Sequence, residues 1–414
     1  MPESHNSGDA AAMEQQRDRA PEYAKALRWI LILYMASAVG VGLQRTLISP
    51  ENNSLILRAA SRHLLGSQDL YIAYPALHAD YFKYSPTFAL LFVPFAMLPM
   101  VLSYIAWAVT SALTVYIGIT RAMPGRAAVI ALLLAWLAAV GDFQRSQTNV
   151  LCAGLMILAW SSFERGSDWK AAIAIVLGTF IKIFPAVAVT FALFRPRWIR
   201  FALIFTAVFL VAAALPLIAV PWSSLAMQYK SWLNIEAHDA LPLGRYGTGG
   251  ADLYAGLMGQ FRVWWGVEWP HWPTQLAGVL ILLTPVALRR NEWKSRHFRV
   301  LYLASVLVFC VLFNHQAESP SYSIAIIGAA IWFAESERAW WRIVMIAVAI
   351  AIVNLGSTDL MPRAWYHGWY VKYLVKTLPL IPLWIAMQAE LLGIVANRAP
   401  SERGEINQRE IPTA

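Results

Sequence analysis

Charge is scarce in this sequence. Only 14% of its 414 residues are Asp, Glu, Lys or Arg, 58% are hydrophobic, and the mean hydropathy is +0.51. A soluble domain carries about 25% charged residues, and a compact fold of this size could not hide so much apolar surface behind so few charges. Lipid is therefore the solvent for most of the chain. Cysteine is scarcer still: Cys152 and Cys310 both lie in apolar runs, which leaves no material for a disulfide framework or a four-thiolate zinc site. The sequence also lacks internal repeats, low-complexity tracts, a metal-ligand spacing and a phosphate-cradling glycine loop. The glycines of Gly244-Arg-Tyr-Gly247-Thr-Gly249-Gly250 follow no predicted strand and read as a loop, so soluble nucleotide donors are disfavoured.

What is present is a series of apolar runs, at roughly 27–44, 86–120, 127–141, 149–163, 171–194, 200–220, 273–288, 299–313, 320–334, 340–356 and 372–392. Several approach the ~20 residues needed to cross a ~30 Å hydrocarbon layer as a helix. They predict an all-α, polytopic membrane protein of about 10–12 transmembrane helices, with 86–120 making one net crossing and 171–194 a re-entrant or broken pair. Residues 1–26 read as a disordered cytoplasmic tail, 27–392 as one multispanning domain and 393–414 as a second cytoplasmic tail. On that topology the outer segments are 45–85, 142–148, 221–272, 314–319 and 357–372. Inner connections then hold 21 of the 33 Lys and Arg, and outer ones 10. This is the positive-inside bias, so the formal net charge of +9 needs no nucleic-acid partner. Six tryptophans between Trp222 and Trp272 suggest that the 221–272 segment lies along the membrane surface.

The polar residues that could do chemistry fall on the outer side. Segment 45–85 contains Asp69, Tyr71, Asp80, Lys83 and Tyr84, and either aspartate could serve as general base toward a hydroxyl. Each also has a structural reading, Asp69 as a cap or turn residue and Asp80 as a partner of Lys83. Pro86, after Tyr84 and Ser85, can start a helix. Lys182 stands inside an apolar run at a cost of at least ~2.5–3.5 kcal/mol at the bilayer centre, so it should face a partner or a wet cavity. Pro185, three residues on, predicts that the helix breaks there and brings Lys182 to the outer face. Asp142, Arg145, Gln147 and Asn149, then Arg245 in the Trp-rich segment, then Asn314, His315 and Glu318, are expected to join one cavity wall. Lys83, Arg145, Lys182 and Arg245 are the cations available to hold a phosphate.

In order and spacing, several motifs resemble glycosyltransferase family 87, over roughly residues 30–335. They are Asp69-Leu-Tyr71, Lys83-Tyr84-Ser85-Pro86, Gln147-Thr-Asn149, Lys182-Ile-Phe-Pro185 before Arg195-Pro-Arg197, and Glu318-Ser-Pro320-Ser-Tyr322. That family includes polyprenyl-phosphate-mannose-dependent alpha-mannosyltransferases of the multispanning GT-C class. The resemblance implies a GT-C-like fold in the inner membrane with the active site on the periplasmic or extracytoplasmic face. It implies an inverting transfer of a hexose, mannose first among them, from a polyprenyl-phosphate donor to a hydroxyl of a lipid or glycan acceptor, without a metal or other cofactor. It also implies a base in the first outer segment. Where the characterised mannosyltransferases have their catalytic aspartate, this chain has Asn52 and Asn53, which leaves the role to Asp80, or to Asp69 after it. Two other readings compete: a transporter or flippase of lipid-linked sugars, and a catalytically inactive membrane scaffold. A transporter also needs a broken helix and intramembrane charge, and the sequence shows no C-terminal counterpart to the 178–185 break.

Overall fold

The computed structural model describes residues 20–48, 51–239, 255–267, 269–356 and 361–397. Every regular element among them is helical, because long runs of Leu, Ala, Ile and Phe in lipid can satisfy their backbone groups only within helices. The first described element is α1 (Ala20–Leu47), which starts inside the stretch 1–26 expected to be a disordered tail. There follow α2 (Asn52–Leu65), the short α3 (Pro86–Leu91) and α4 (Val93–Met97), then α5 (Met100–Ala122), α6 (Gly125–Gln144), α7 (Asn149–Glu164) and α8 (Asp168–Ile181). A 3-10 helix (Phe184–Phe194) leads to α9 (Trp198–Ala214), α10 (Trp222–Asp239), α11 (Leu257–Trp265), α12 (His271–Leu288), α13 (Arg296–Leu312), α14 (Tyr322–Glu335), α15 (Trp340–Ile350) and α16 (Leu380–Leu391). Proline punctuates these starts: Pro99, Pro124 and Pro270 precede α5, α6 and α12, and Pro86 opens α3 after the Ser85 cap.

Among the described residues, five helices are long and apolar enough to cross a membrane unaided: α1, α5, α6, α12 and the one running through α9 to Ile218. A sixth span is counted if the pair Arg363–Val371 and Val375–Leu391, bent by 68°, is taken as one. The rest of the expected 10–12 segments are shorter. Among these, α13 and α14 form the middle of the bundle, buried on every face from Val300 to Leu312 and from Tyr322 to Trp332. By contrast α9 leaves Ile199, Leu203, Leu210 and Val211 at least 60% exposed, which only a lipid environment makes favourable.

The expected break at Lys182 is present. Helix α8 ends at Ile181, Lys182 is extended (φ −141°, ψ 142°), and the chain resumes as the 3-10 helix with Pro185 in its first turn. Gly178 makes the fold-back feasible, since a Cβ there would come within 2.9 Å of Pro185. Two sequence expectations change. The C-terminal half does contain a bent segment, the 68° pair, so the contrast drawn with transporters does not hold at the level of helix geometry. The outer segments 45–85 and 221–272 contain helices, α2 in the first and α10 and α11 in the second. In α2, Ile56, Leu57, Ala60 and Leu64 form an apolar face that packs on α3 and α4, which anchors the polar stretch that follows.

Candidate functional site

A cavity of about 350 Å³ opens where these segments meet. Of the residues singled out from sequence, Asp80, Lys83, Tyr84, Gln147, Lys182, His315 and Glu318 line it, although they come from four separate stretches of chain. The segment after α2 supplies Asp80 to Tyr84. The α6–α7 turn supplies Gln147, the helix break supplies Lys182, and the α13–α14 connection supplies His315 and Glu318.

Lys182 is held from behind. Its Nζ donates to Asn149 Oδ1 at 2.8 Å, and Asn149 Nδ2 donates to Asp142 Oδ1 at 3.1 Å. A carboxylate only accepts, so Asp142 obliges Asn149 to present its amide nitrogen inward and its oxygen to the lysine. Asp142 is itself buried, with Oδ2 accepting from Val150 N at 3.2 Å and Oδ1 from the Ser323 hydroxyl at 3.3 Å. Its charge thus faces three donors and, one residue further, an ammonium, which is the condition for burying an ion. The same carboxylate fixes the start of α7, so one residue positions both a helix and the cavity lysine. Part of the cavity wall is apolar, formed by Ile181, Ile183, Phe184, Phe309 and Phe313.

The loop before α3 is equally constrained. Ser85 Oγ accepts from Phe88 N at 3.1 Å and donates to Phe180 O at 2.5 Å, tying the start of α3 to the end of α8. Burial pushes the Tyr84 phenol above its usual pKa, with Lys182 pulling the other way, so Tyr84 stays a hydroxyl donor at physiological pH. Tyr71 is buried behind it and donates to Tyr84 O at 2.8 Å.

Not every candidate reaches the cavity wall. Asp69 does not line it; its Oδ1 accepts from Tyr71 N at 2.9 Å, a turn of the kind expected for its structural reading. Tyr71 and Asn149 support lining residues from behind. Arg145 is also absent from the wall, and its carbonyl accepts from Asn53 Nδ2 at 2.9 Å. Arg245 lies outside the described residues.

Asn314 lines the cavity as expected, and with it come residues that the sequence did not single out for the site: Asn53, Trp232, Glu236, Gln275 and Gln316. Trp232, expected at the headgroup level, instead turns inward and donates to Lys83 O at 3.3 Å. Trp232 and Glu236 are four apart on α10, hence on one face, and that spacing was the available signal. Asn52 Oδ1 accepts from Ala79 N at 2.8 Å and so holds the segment that carries Asp80, whereas Asn53 ties α2 to the Arg145 carbonyl. The carboxylates lining the cavity among the described residues are Asp80, Glu236 and Glu318. No group of three or more His, Cys, Asp or Glu able to hold a metal occurs among the described residues.

None of the curated proteins compared matches the chain. Among solved structures it is similar to the oligosaccharyltransferase of Archaeoglobus fulgidus in its apo form, at 12% identity and a TM-score of 0.42, covering 86% of this chain and 56% of that one. The chain thus spans little more than half the length of that enzyme. It is also similar to ArnT from Cupriavidus metallidurans in the apo state, at 16% identity and a TM-score of 0.45, covering 89% of this chain and 77% of that one. The model of glycosyltransferase family 87 matches residues 82–314, a stretch that includes Lys83, Tyr84, Gln147, Asn149 and Lys182 and stops short of Asp69, Asp80, His315 and Glu318. That match takes in more than half of the chain and the cavity's helix break, and the protein is a membrane-embedded member of glycosyltransferase family 87.

Proposed function

We propose that the protein transfers a hexose from a polyprenyl-phosphate sugar to a hydroxyl of a lipid or glycan acceptor, with inversion, at the outer face of the inner membrane. The observation that carries this reading is Lys182: an ammonium in a cavity lined both by apolar side chains, among them Ile181, Ile183, Phe184 and Phe309, and by amides and carboxylates. An apolar wall beside a cation suits a prenyl chain attached to a phosphate. Asn53, Gln147, Gln275 and Gln316 offer donors and acceptors for sugar hydroxyls.

In this mechanism Asp80 accepts the proton of the acceptor hydroxyl as its oxygen attacks the anomeric carbon. The bond from that carbon to the phosphate oxygen breaks on the opposite face, and the electron pair leaves with the polyprenyl phosphate. Lys182, with Lys83, balances the charge that develops on the leaving phosphate. Asp80 is preferred to Asp69 as base because it lines the cavity and Asp69 does not; each carboxylate accepts one backbone N–H, from Tyr81 and Tyr71 respectively.

The test uses the full chain in lipid nanodiscs with polyprenyl-phosphate hexoses, mannose first, and a membrane lipid extract as acceptor. A new glycosidic product is expected, and Asp80→Ala should slow its formation by about 10²–10⁴-fold, the range for loss of a general base. Absence of transfer with every donor, or full activity in Asp80→Ala, overturns the reading. Movement of the lipid-linked sugar across the bilayer without a new bond would replace it with transport, a reading to which the bent C-terminal pair gives some structural basis.

A further inference from the structure

We infer that the end of the bundle opposite the sugar cavity carries a second binding site, a slot for the headgroup and glycerol region of an anionic phospholipid. Three elements lead away from the cavity to this slot. Helix α7 starts at Asn149 beneath Lys182 and runs 16 residues, about 24 Å at 1.5 Å per residue, to Glu164. The 3-10 helix runs from Phe184 in the cavity wall to Phe194, and α13 from Arg299 at this end to the cavity-lining Phe309. The slot they enclose has a volume of about 290 Å³.

Its walls are aromatic and fixed. Phe194 meets Trp293 edge-on with centroids 5.8 Å apart, and Phe163 packs on Phe201 of α9 at 4.9 Å. The charges around it leave a surplus of cations. Glu164 is gripped by Arg299 through two bonds of 2.6 and 2.7 Å, a neutral pair. Asp168 is shared by Arg195 at 3.7 Å and Arg200 at 3.9 Å, two cations against one acid. Lys294 is exposed at the slot and forms no ion pair among the described residues. The balance is two positive charges at a slot lined by both aromatic and charged side chains at the end of a membrane bundle, where a phosphodiester gains the cations and its glycerol region gains the rings. Phe201 then leads to the exposed apolar face of α9, along which Leu203, Leu210 and Val211 offer a track for an acyl chain. A free phosphate would leave both the rings and that track unused, which is why the observations favour a lipid.

The experiment measures lipid binding and is independent of sugar transfer. The full chain in neutral detergent is titrated with phosphatidylglycerol, phosphatidylcholine or inorganic phosphate, read by native mass spectrometry and by the thermal midpoint. We expect one retained phosphatidylglycerol and a raised midpoint, neither seen with phosphatidylcholine or phosphate. Lys294→Glu should weaken phosphatidylglycerol binding about 30-fold, the effect of two charge steps at a lipid surface, with the lipid-free midpoint unchanged. Arg126→Glu, an equal charge reversal at an exposed position of the same end but away from the slot, should leave that affinity unchanged. Equal response to the two lipids, displacement of the lipid by inorganic phosphate, or equal weakening in the two variants overturns the proposal.

Discussion

At the scale of single residues, Asp142 governs the cavity without lining it. An Asp142→Asn change keeps the shape but turns one acceptor oxygen into a donor, facing either Val150 N or the Asn149 amide and the Ser323 hydroxyl. An unsatisfied buried group costs about 1–3 kcal/mol. Asn149 is also released to turn its amide nitrogen toward Lys182, which repels the ammonium. The expected outcome is a lower thermal midpoint together with a loss of transfer exceeding that of Asp69→Ala, measured on the same preparations. Asp69→Ala itself should cost about 0.5–2 kcal/mol, as loss of a side-chain cap does, and leave the rate per folded molecule near wild type. If Asp69→Ala abolished turnover in folded protein, the assignment of roles to the two aspartates would be reversed. Sequence leaves these acids as near equals because both sit in one polar stretch and each accepts from a nearby backbone N–H, and only the place of Asp80 on the cavity wall separates them. Lys182 was legible because a lysine inside an apolar run is costly wherever it occurs. Glu236 was not, because a glutamate in a polar, Trp-rich segment has no such cost to betray it.

At the scale of elements, the bent C-terminal pair acts as a latch on the loop that carries His315 and Glu318. Lys376 is buried at the bend and donates to both Ser319 O and Ser319 Oγ at 2.9 Å, with its ammonium 5.2 Å from the Tyr322 ring centroid. Thr377 and Tyr322 converge on Ala255 O, while Ala255 N donates to Ala317 O at 2.7 Å. Replacing a buried cation by an apolar chain of similar length is often neutral or better for global stability, but here it orphans the Ser319 carbonyl. Lys376→Met should therefore leave the global midpoint nearly unchanged while hydrogen exchange across 314–322 accelerates; unchanged exchange there would remove the latch. A second element-level prediction concerns α2 and the segment after it, where the His63 ring packs tilted against Tyr74 with centroids 4.0 Å apart and Tyr74 meets His78 at 6.0 Å. Burial, and then the nearby His78, lower the pKa of His63 from its usual 6.5. Above pH 6.5 the ring is neutral whether docked or not, and the packing has its full stability. As the pH falls below 6.5 the undocked form takes up the proton first, and stability drains away until the depressed pKa is passed. Amides 71–82, corrected for intrinsic exchange, should open more readily at pH 5.5 than at 7.5 in the wild type, and this difference should shrink in His63→Gln.

At the scale of the whole molecule, the sequence predicted the helical class, the broken helix at Lys182 and the meeting of distant polar stretches, because all three follow from the cost of polar groups in lipid. It did not predict the helices inside 45–85 and 221–272, whose apolar faces are short and interleaved with tyrosine and tryptophan, nor the bend near Lys376, where no interior proline marks the break between Val371 and Val375. The arrangement implies that the cavity opens on one side of the membrane and the aromatic slot on the other, since α7, the 3-10 helix and α13 each reach from one to the other. Both native cysteines are buried, so single introduced cysteines can report sidedness. Tyr81→Cys and Ile183→Cys flank the cavity and should react with an impermeant maleimide added outside intact cells. Lys294→Cys should react only after the membrane is permeabilised, as the positive-inside bias of its loop requires. Labelling of Tyr81→Cys and Ile183→Cys from opposite sides would mean that the carboxylates and Lys182 do not share a compartment. A phosphate held by the lysine could not then be attacked by a hydroxyl that Asp80 deprotonates.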